Sequence, residues 1–590
     1  MGIGGVGMAG LAVLMKSKGH EVSGCDLHAS PRTAWLEAQG IRVFVGHDPA
    51  HLAGIDEVIV TPAVSRNEPE LVAFRGAVRY RGEVLAEVVN ETADTIAVCG
   101  SHGKTTTATW IAKLLRALGE DVSWCIGGET GSFPVAGVGQ GPLVVEADES
   151  DGTLVLYKAK TLVVNKCEYD HPDHFKTEED YFACYGMAKR QAGTVVESEA
   201  LEALDSIDVL EGLAAHNRKN ARAAIEVALR RGHKLDEIAA ALPSVVAELP
   251  DRRFQKIAEG VYTDYAHHPT EMKCAVEMAR AKCAGKLRVL FQPHRYSRTK
   301  ALLANFPAAF EGADEVVLCP TYSAFEKPVE GGDIADLYAA CRGKVAGLFL
   351  ARSCEEAWMH AKRSEKPGDL TLVLGAGDIV GKLHERPAER IWIGAGSNTW
   401  RSDLNLDVEY VKTEGPASAP GASLGIPWMA GIPGTIGGWI KMNAGAFGHS
   451  ISEVIAQVKV DGRWISAADC GFSYRHSDIV GEIQDVILKP LRLEGDAKDF
   501  LARRKNFPAG TFGSFFKNPP GDHAGRLLEE AGAKGLKVGG AYVWEEHANV
   551  IVRGVDATPS DVLALARLMR NRVLFRFGVA LEPEVCGIAF

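Results

Sequence analysis

The octapeptide GSHGKTTT, Gly100 to Thr107, decides how the central part of this chain folds. The apolar run Thr95–Cys99 precedes it and predicts a short buried strand, and Ala108–Gly119 after it repeats apolar residues on one helical face. A strand, a glycine-containing turn and a helix that opens on Lys-Thr-Thr can cradle nucleotide phosphates, because backbone N–H groups and the helix N-terminus point at the anion. Val98 occupies the place of the first glycine in the general phosphate-loop pattern. We therefore predict a shorter variant of that loop.

Composition narrows the class of protein. The 590 residues suffice for four or five domains, and 46% hydrophobic and 24% charged residues are typical of globular protein. The net charge of −11 argues against nucleic acid or a membrane surface as partner. The sequence contains neither a long apolar run nor a signal-peptide pattern, so we predict a cytoplasmic protein without a membrane span. The 12 cysteines include no C-x-x-C pair, which favours reduced thiols over disulfides or a Cys-rich zinc site.

The chain opens with a G-x-G-x-x-G pattern formed by Gly2, Gly4 and Gly7, followed by a helical pattern and a short strand that ends at Asp26. This spacing predicts a dinucleotide-type fold, with phosphate at the helix N-terminus and the carboxylate meeting a ribose or base. The alternative is a glycine-rich helix start used only for packing. The hydrophobic strand that normally precedes such a pattern is not present before Gly2.

Two later strands end in polar clusters. Leu143–Val145 runs into the acidic string that holds Glu146 and Glu149, and the strand TLVV at Thr161 leads to a string that holds His171 and Asp173. The carboxyl ends of strands beside a phosphate loop are where Mg²⁺ ligands or a water-orienting base are needed. A solvated acidic turn is the alternative. Zinc is disfavoured, because the histidines lack Cys partners and the helical i, i+4 spacing.

A further series of strands and helical stretches between residues 251 and 379 predicts another doubly wound sheet. Five polar residues stand at its strand ends, where such sheets bind ligands: His267, His268, His294, Arg295 and Arg298. The charged stretch KLHERPAER then reads as a linker, and after it glycine-rich turns and short strands replace the earlier pattern.

Eight strings occur in order in the first part of the chain: GIGGVGM, SHGKTTT, EADESD, EYDHPDH, HNRKN, TDYAHHPTE, FQPHRYSRT and GAGDI. By these strings, residues 1 to about 386 resemble the Mur ligases, and within them the ligases that join L-alanine to UDP-N-acetylmuramate. The resemblance implies that ATP, with Mg²⁺, phosphorylates the lactyl carboxylate of the nucleotide sugar, and that the amine of L-alanine attacks the acyl phosphate.

The resemblance also implies roles for particular residues. The UDP site would contain Gly4, Gly7 and Asp26, and His268 would also bind substrate. ATP would meet Gly100, Ser101, His102, Gly103, Lys104, Thr105, Thr106, Asn217 and Asn220. Magnesium would be held by Thr105, Glu146 and His171, with Glu149 as the second choice within the acidic string. Catalysis would rest on Lys104, His267, Arg295 and Arg298.

The last part of the chain carries a second set of strings: GAGSN, GIPGTIGG, MNAGAFG, YRHS, GSFFKNP, AGRLLEEAG, GGAYV, HAN and LEPEV. By these, residues 388 to 590 resemble UDP-N-acetylenolpyruvoylglucosamine reductases, which use FAD and NADPH. The resemblance assigns catalysis to Arg475, Ser514 and Glu584, and substrate binding to Tyr474, Lys517 and Asn518. The flavin would rest on Gly394, Ala395, Gly396, Ser397, Asn398, Gly431, Ile432, Pro433, Gly434, Thr435, Gly438, Asn443 and Gly445.

These patterns predict an α/β multidomain fold. A Rossmann-like UDP-binding domain would span residues 1–92, a P-loop-type central ATPase domain 93–245 and a Rossmann-like C-terminal ligase domain 246–384. After a linker at 385–390, an α+β reductase module would follow, with a shortened FAD-binding domain at 391–490 and a substrate-binding domain at 491–590. Expected partners are the three small substrates and other cytoplasmic peptidoglycan-precursor enzymes.

The sequence departs from both families by being short. The first ligase strand is missing, and the stretch between Gln191 and Asn217 is shorter than in the family. The first flavin subdomain is largely absent before Ile391 and is shortened again between Asn398 and Gly431. Because the joins read abruptly, we expect that the sequence omits segments rather than that they were deleted. Two other functions stay open: a muropeptide-recycling ligase, and a ligase whose reductase-like half is a non-catalytic scaffold.

Overall fold

The computed structural model describes residues 1–590 except 62–63, 66, 129, 132, 172–173, 202–209, 211–212, 386–388, 394–397, 400–407, 413–425, 431, 433, 490–494, 504–506 and 589, and only the backbone of 389–393 and 408–412. Asp173 and the flavin-site residues Gly394, Ala395, Gly396, Ser397, Gly431 and Pro433 therefore lie outside the described residues. The fold is mixed α/β and multidomain, which confirms the fold class in its broad form. The chain forms two compact units, Met1–Lys282 with Ser323–Lys327, and Cys283–Tyr322 with Pro328–Phe590.

The first unit contains nine helices and twelve strands among its described residues. The helices are α1 Val6–Ser17, α2 Pro31–Ala38, α3 Pro69–Ala73, α4 Arg81–Glu91, α5 Lys104–Ala117, α6 Glu178–Gln191, α7 Ala215–Arg230, α8 Leu235–Val246 and α9 Pro269–Lys282. The strands are β1 Ser23–Asp26, β2 Arg42–Val45, β3 Glu57–Val60, β4 Ala77–Tyr80, β5 Thr95–Cys99, β6 Ser123–Cys125, β7 Ala136–Gly137, β8 Leu143–Glu146, β9 Thr161–Val164, β10 Thr194–Glu197, β11 Gln255–Ala258 and β12 Val261–Asp264.

A six-stranded sheet in the order β10-β9-β5-β8-β6-β7 forms the middle of this unit, and every pairing except β6 with β7 is parallel. All five residues of β5 are buried, which explains its uninterrupted apolar sequence. Helix α5 begins at Lys104, so it opens on Lys-Thr-Thr as the sequence predicts. Gly103, with φ of 79°, ends the loop immediately before it, so Lys104 and the threonines form the first turn.

In the N-terminal region, where the sequence predicts a dinucleotide-type fold, β1 pairs with β2 and β3 pairs with β4, both in parallel. Helix α1 follows the glycine-rich turn and β1 ends at Asp26, as the sequence predicts.

A further strand follows Gln191 within the described residues. Strand β10 begins three residues later and continues the central sheet in register with β9. Val196 is only 1% exposed and joins the core of this sheet.

The second unit contains eight helices and fourteen strands among its described residues. The helices are α10 Tyr296–Ala301, α11 Phe306–Ala309, α12 Ile334–Cys341, α13 Cys354–Ser364, α14 Ile436–Lys441, α15 Ala497–Arg503, α16 Ala524–Glu530 and α17 Pro559–Phe577. The strands are β13 Leu287–Phe291, β14 Glu315–Leu318, β15 Leu348–Leu350, β16 Leu370–Leu374, β17 Glu389–Ile393, β18 Val408–Lys412, β19 Gly445–Ala446, β20 His449–Ser450, β21 Ile455–Val460, β22 Arg463–Ser466, β23 Ile483–Leu488, β24 Lys537–Val538, β25 Ala541–Val543 and β26 Ile551–Arg553.

The strands of this unit divide by direction. Strands β16-β13-β14-β15 are parallel neighbours, and β17 pairs in parallel with β18. The three later groups, β19-β20, β22-β21-β23 and β24-β25-β26, are antiparallel. The predicted linker at 385–390 is too long by two residues, because Glu389 and Arg390 already pair with β18.

A buried polar junction joins α12 to α17 within this unit. Asp561 is fully buried and accepts hydrogen bonds from the Tyr338 hydroxyl at 2.9 Å and from Nε and Nη2 of Arg342 at 2.7 and 3.1 Å. The Leu350 N–H also donates to the Ser560 hydroxyl, 3.1 Å away. The ligase-like and reductase-like parts of the chain therefore share a packed interface here in addition to their covalent connection.

Across the residues described, none of the helices is both long enough and apolar enough to cross a bilayer.

Candidate active sites

The predicted phosphate loop connects β5 to α5 and depends on two glycines. Gly100 and Gly103 both have positive φ, 127° and 79°. A Cβ on Gly103 would lie 2.4 Å from the side-chain oxygen of Asn220, and a Cβ on Gly100 would lie 2.8 Å from Asn165. The loop can take this course only with glycine at both places, which is the reason that its sequence is recognisable.

Lys104, at the start of α5, lies among carboxylates. Its Nζ donates to both oxygens of Glu149, at 2.8 and 2.9 Å, and lies 3.8 Å from Asp148. Burial alone would lower the pKa of Lys104, but the charges of Glu149, Asp148 and Glu146 raise it above its ordinary value. Burial raises the pKa of Glu149 to about 7, while Lys104 holds the pKa of Asp148 low despite the burial of that group. The pocket is thus a cationic centre surrounded by negative charge.

The strand-end clusters converge on this lysine. One donor atom each from Asp148, Glu149 and His171 lie within 4.8 Å of one another. His171 has φ of 59°, and its Nε2 is 3.7 Å from Glu149. Glu146, the first choice from the sequence, accepts a hydrogen bond from the backbone N–H of Gly127 at 2.8 Å. These are oxygen and imidazole donors of the kind that hold a divalent cation beside a phosphate.

A cavity of about 260 Å³ lies next to the phosphate loop in the first unit. The predicted residues Asn217 and Asn220 line it, both buried, and the Asn220 amide donates to Asn217 at 3.2 Å. Phe254 and Met278 supply apolar walls. A small enclosure with an apolar lining and a few amide groups suits a planar heterocycle.

His102 connects the loop to this cavity through two carboxylates that the sequence reading missed. Its Nε2 is 3.0 Å from Glu168 and its Nδ1 is 3.1 Å from Glu271. Burial alone would lower the pKa of His102, but the two carboxylates raise it to about 9. His268 stacks at a tilt on His102, and burial lowers its pKa. The only sequence signal for the carboxylates was their place inside the strings EYDHPDH and HHPTE.

The glycine-rich N-terminal turn also forms as predicted. The N–H of Gly4 donates to the Asp26 carboxylate at 2.9 Å, and the Arg32 side chain donates to the Gly4 carbonyl at 2.8 Å. A Cβ on Gly7 would lie 3.0 Å from the guanidinium of Arg81, another residue that the sequence reading missed. Arg81 is in turn 4.0 Å from Asp148, so one cation lies between this turn and the acidic cluster.

The remaining ligase-type predictions are divided between the units. His267 is in the first unit, where its Nδ1 lies 3.0 Å from the Tyr265 carbonyl and 3.8 Å from Glu271. Arg295 and Arg298 are in the second unit, the first immediately before α10 and the second within it. Arg298 is buried and its Nη1 lies 3.2 Å from Nδ1 of His294.

A second candidate site lies in the second unit. Arg475, with φ of 54°, donates from Nε to Glu584 at 2.8 Å and from Nη2 to the Gly445 carbonyl at 3.3 Å. Burial raises the pKa of Glu584, while Arg475 opposes the increase. The structure therefore brings together two of the three residues that the sequence predicts for reduction.

The third residue, Ser514, is exposed and precedes Phe515, whose carbonyl accepts the N–H of Glu584 at 2.8 Å. Asn398 also fixes this segment: its amide donates to the Glu584 carbonyl at 2.8 Å. The predicted substrate residue Tyr474 stacks under the Arg475 guanidinium, 5.3 Å from ring centre to Cζ. The site therefore combines an ion pair of Arg475 with Glu584 and a hydroxyl, Ser514, whose neighbour Phe515 is hydrogen-bonded to the backbone of Glu584.

Other predicted residues of this half have structural contacts. Lys517 lies 3.8 Å from Glu582, and Asn518 accepts the N–H of Ala524 at 3.0 Å. Asn443, with φ of 41°, donates to the Ser473 carbonyl at 2.9 Å. Thr435 caps α14 through the N–H of Gly438 at 3.2 Å.

The first site indicates a class of protein. Nucleotide-dependent enzymes typically combine a glycine-containing phosphate loop, a buried lysine and a cluster of side chains that can bind a metal ion. Family models agree. Residues 1–92 match the Mur ligase family, catalytic domain, residues 252–377 match the Mur ligase, glutamate ligase domain, and residues 505–588 match the UDP-N-acetylenolpyruvoylglucosamine reductase, C-terminal domain.

The alignments with individual relatives extend over most of each relative's length. UDP-N-acetylmuramate–L-alanine ligases of Gloeobacter violaceus and Kineococcus radiotolerans are 36% and 37% identical to this chain, over 64% of it and 93% of each relative. The crystal structure of UDP-N-acetylmuramate-alanine ligase from Thermotoga maritima matches this chain with a TM-score of 0.54 and 26% sequence identity. The match covers 65% of this chain and 96% of the Thermotoga maritima chain.

The chain belongs to the Mur ligase family. It is a fusion, because a domain of the UDP-N-acetylenolpyruvoylglucosamine reductase family follows the ligase part in the same polypeptide.

Proposed function

We propose that this chain ligates L-alanine to UDP-N-acetylmuramate with ATP, and that it also reduces UDP-N-acetylenolpyruvoylglucosamine with NADPH and FAD to supply that substrate. The observation that carries the ligase proposal is Lys104, held between Glu149 and Asp148 at the start of α5 and adjacent to the cavity lined by Asn217 and Asn220. Relatives named for this ligation match the chain over nearly their full length.

In the ligase reaction, the loop from Gly100 to Gly103 would bind the phosphates through backbone N–H groups. Lys104 would leave its carboxylate partner and neutralise the phosphoryl group during transfer. Asn217 and Asn220 would orient the adenine in the adjacent cavity. Because Lys104 would move to the phosphate, the carboxylates now paired with it would become free to bind another cation.

The donor set fits magnesium. His171 with Glu149, together with Thr105 and Glu146, would hold Mg²⁺, which when bound neutralises phosphate charge. The structure adds weight to Glu149 over the first choice Glu146, since Glu149 shares the donor cluster with His171. His267, Arg295 and Arg298 would then bind the carboxylate of alanine and the acyl phosphate.

For the reductase, Arg475 would pair with the carboxylate of the enolpyruvyl group, and Glu584, with its raised pKa, would favour the enolate-like form that develops beside it. Ser514 would donate the proton to the second carbon. Asn398, one of the predicted flavin-site residues, donates a hydrogen bond to the Glu584 carbonyl, which supports a flavin site next to Glu584. FAD, when bound, supplies the hydride.

The experiment that tests both halves is an absorbance titration of the purified full chain. We expect oxidised-flavin bands that bleach with NADPH and return on addition of UDP-N-acetylenolpyruvoylglucosamine, and ADP release that requires both UDP-N-acetylmuramate and L-alanine. A colourless protein that FAD cannot reconstitute, yet that releases ADP, would leave a ligase with a scaffold half. ADP release with a tripeptide but not with alanine would identify a muropeptide-recycling ligase.

A further inference from the structure

The backbone segment Glu582–Gly587, which carries Glu584, is held by contacts from both enzyme-like parts of the chain. The Glu584 N–H donates to the Phe515 carbonyl at 2.8 Å. The Cys586 N–H donates to the Asn398 carbonyl at 3.0 Å. These two contacts come from the reductase-like part, and a third, at the end of the segment, comes from the ligase-like part.

The third contact is made by Arg352, which lies two residues after β15 in the ligase-like part. Its Nη1 donates to the Gly587 carbonyl at 3.3 Å. Gly587 is three residues from Glu584 in the sequence. A side chain of the ligase-like part therefore bonds directly to the main chain that carries a predicted catalytic residue of the reductase-like part.

The Arg352 guanidinium is held in one orientation by a buried carboxylate. Its Nε and Nη2 donate to Oε1 of Glu356 at 3.0 and 2.9 Å, and its backbone N–H donates to Oε2 at 2.6 Å. The two side chains are 11% and 1% exposed. Because hydrogen bonds between ionised groups are strong and directional, this pair leaves Nη1 directed at the segment.

The helix that leads into the segment is also anchored on the ligase-like part. Besides the junction at Asp561, Nε of Arg567 on α17 donates to Asp333, the residue before α12, at 3.3 Å. Nε of Arg570, one turn further along α17, donates to the Leu581 carbonyl at 3.3 Å. The chain on both sides of Glu584 is thus tied, directly or through α17, to the ligase-like part.

The position of Glu584 matters because its carboxylate has a specific partner. It accepts a hydrogen bond from Nε of Arg475 at 2.8 Å, and the Glu584 side chain is only 16% exposed. A displacement of about an ångström would lengthen this bond beyond ordinary hydrogen-bond distance, and a misplacement of that size can lower a rate by about a hundredfold.

We propose that Arg352 of the ligase-like part is a positioning residue of the reductase site, which acts through Gly587 and holds Glu584 opposite Arg475. The reductase-like part therefore needs the ligase-like part to complete its active site. The catalytic consequence rests on the proposed reductase function, whereas the anchoring of the segment can be measured without it.

Hydrogen exchange of the full chain, measured by mass spectrometry, tests the anchoring without cofactor or activity. In Arg352→Met, the amides of Glu582–Gly587 should exchange about fivefold faster, the factor that corresponds to one net hydrogen bond. Arg363→Met, which removes an exposed arginine of α13, is the matched control and should leave their exchange unchanged. Unchanged exchange in Arg352→Met would overturn the proposal.

Reoxidation of the reduced flavin by UDP-N-acetylenolpyruvoylglucosamine tests whether the anchor acts through Glu584. Arg352→Met should slow this step about 10- to 100-fold, because the carboxyl group is no longer held in place. In a Glu584→Gln background the same change should have little further effect, since the group that Arg352 positions is already altered. Equal slowing in both backgrounds would overturn the proposal.

Two other results are distinguishable from these. An unmodified chain that never binds flavin would refute the reductase function, and the exchange experiment would still report on the anchor. If circular dichroism shows that Arg352→Met does not fold, Arg352→Met combined with Glu356→Gln replaces it, compared with Glu356→Gln alone. This pair leaves no unpaired buried carboxylate at position 356, and the absence of the same exchange and rate differences would overturn the proposal.

Discussion

The two candidate active sites differ in the balance of their charged side chains. In the first unit, Lys104 is within the electrostatic reach of Glu149, Asp148 and Glu146, and it donates to Glu149 twice. In the second unit, Arg475 has its ion pair with Glu584 and donates otherwise to a backbone carbonyl. One site holds an excess of negative charge around one cation, and the other holds a balanced pair.

The difference follows from what each site would bind. A nucleotide triphosphate arrives with its own divalent cation, so surplus carboxylates beside the loop become metal ligands on binding. An enolpyruvyl substrate carries one carboxylate and develops charge at one carbon, so a single guanidinium with a carboxyl of raised pKa suffices. The two charge patterns therefore agree with the two proposed reactions, phosphoryl transfer at the first site and reduction at the second.

Lys104→Ala gives the largest expected effect and tests the first half of this comparison. Removing the cation at the transferring phosphate should lower alanine-dependent ADP release by about a thousandfold or more. Flavin reduction by NADPH should be unchanged, because that site is in the other unit. Lys189→Ala, which removes a half-exposed lysine paired with Glu197, is the control for loss of charge alone. Normal ADP release in Lys104→Ala would contradict the role of Lys104 in the ligase proposal.

Ser514→Ala tests the second half. Loss of the proton donor should reduce turnover of the enolpyruvyl substrate by about 10²- to 10⁴-fold. Bleaching of the flavin by NADPH should continue at its normal rate, since hydride transfer to the flavin does not need this hydroxyl. Ser452→Ala, another serine of the same unit, should behave like the unmodified protein. Equal slowing of both half-reactions would mean that Ser514 positions the flavin rather than the proton.

Asp561→Asn tests whether the junction between the ligase-like and reductase-like parts contributes to the free energy of unfolding. Removing the charge that pairs with Arg342 and Tyr338 should reduce the free energy of unfolding by about 2–3 kcal/mol, since it leaves a guanidinium without its partner. Asp556→Asn, at an exposed position close in sequence, should have little effect. Urea denaturation followed by circular dichroism measures both. An unchanged midpoint for Asp561→Asn would show that the junction contributes nothing to stability.

His102→Gln gives the smallest effect and a pH dependence. The folded-state pKa of His102 is about 9 against an ordinary 6.5, so its pairing with Glu168 and Glu271 stabilises the fold fully below about pH 6.5. That contribution is lost as pH rises through 9. The destabilisation by His102→Gln should therefore be about 2–3 kcal/mol larger near pH 6 than near pH 10.

The control for this pH series is His20→Gln, because His20 is exposed on the surface. Its unfolding free energy should follow that of the unmodified chain at both pH values. A pH-independent cost for His102→Gln would contradict the charged state of this histidine.

Several features of the fold could be predicted because they depend on neighbours in sequence. The phosphate loop needs glycine where φ is positive, so Gly100 and Gly103 mark it directly. The buried strand β5 and the helix α7 show in their apolar patterns. Short edge strands do not: β10 has four residues and one buried valine, too little periodicity to recognise.

Partners that are distant in sequence escaped prediction. Glu168 and Glu271 meet at His102 although about a hundred residues separate them, and their place in the strings EYDHPDH and HHPTE does not show that they share a partner. Arg81 reaches both Gly7 and Asp148 from the start of α4 for the same reason.

By itself, the sequence determined the family, the order of the two enzyme-like halves and the residues that glycine geometry and ordered motifs mark. Only the tertiary structure decided which carboxylate shares a site with His171, which charges raise the pKa of His102, and that Asp561 joins the ligase-like part to the reductase-like part. The physical reason is that backbone conformation is set by adjacent residues, whereas electrostatic pairing depends on distances between side chains that the chain brings together only when it folds.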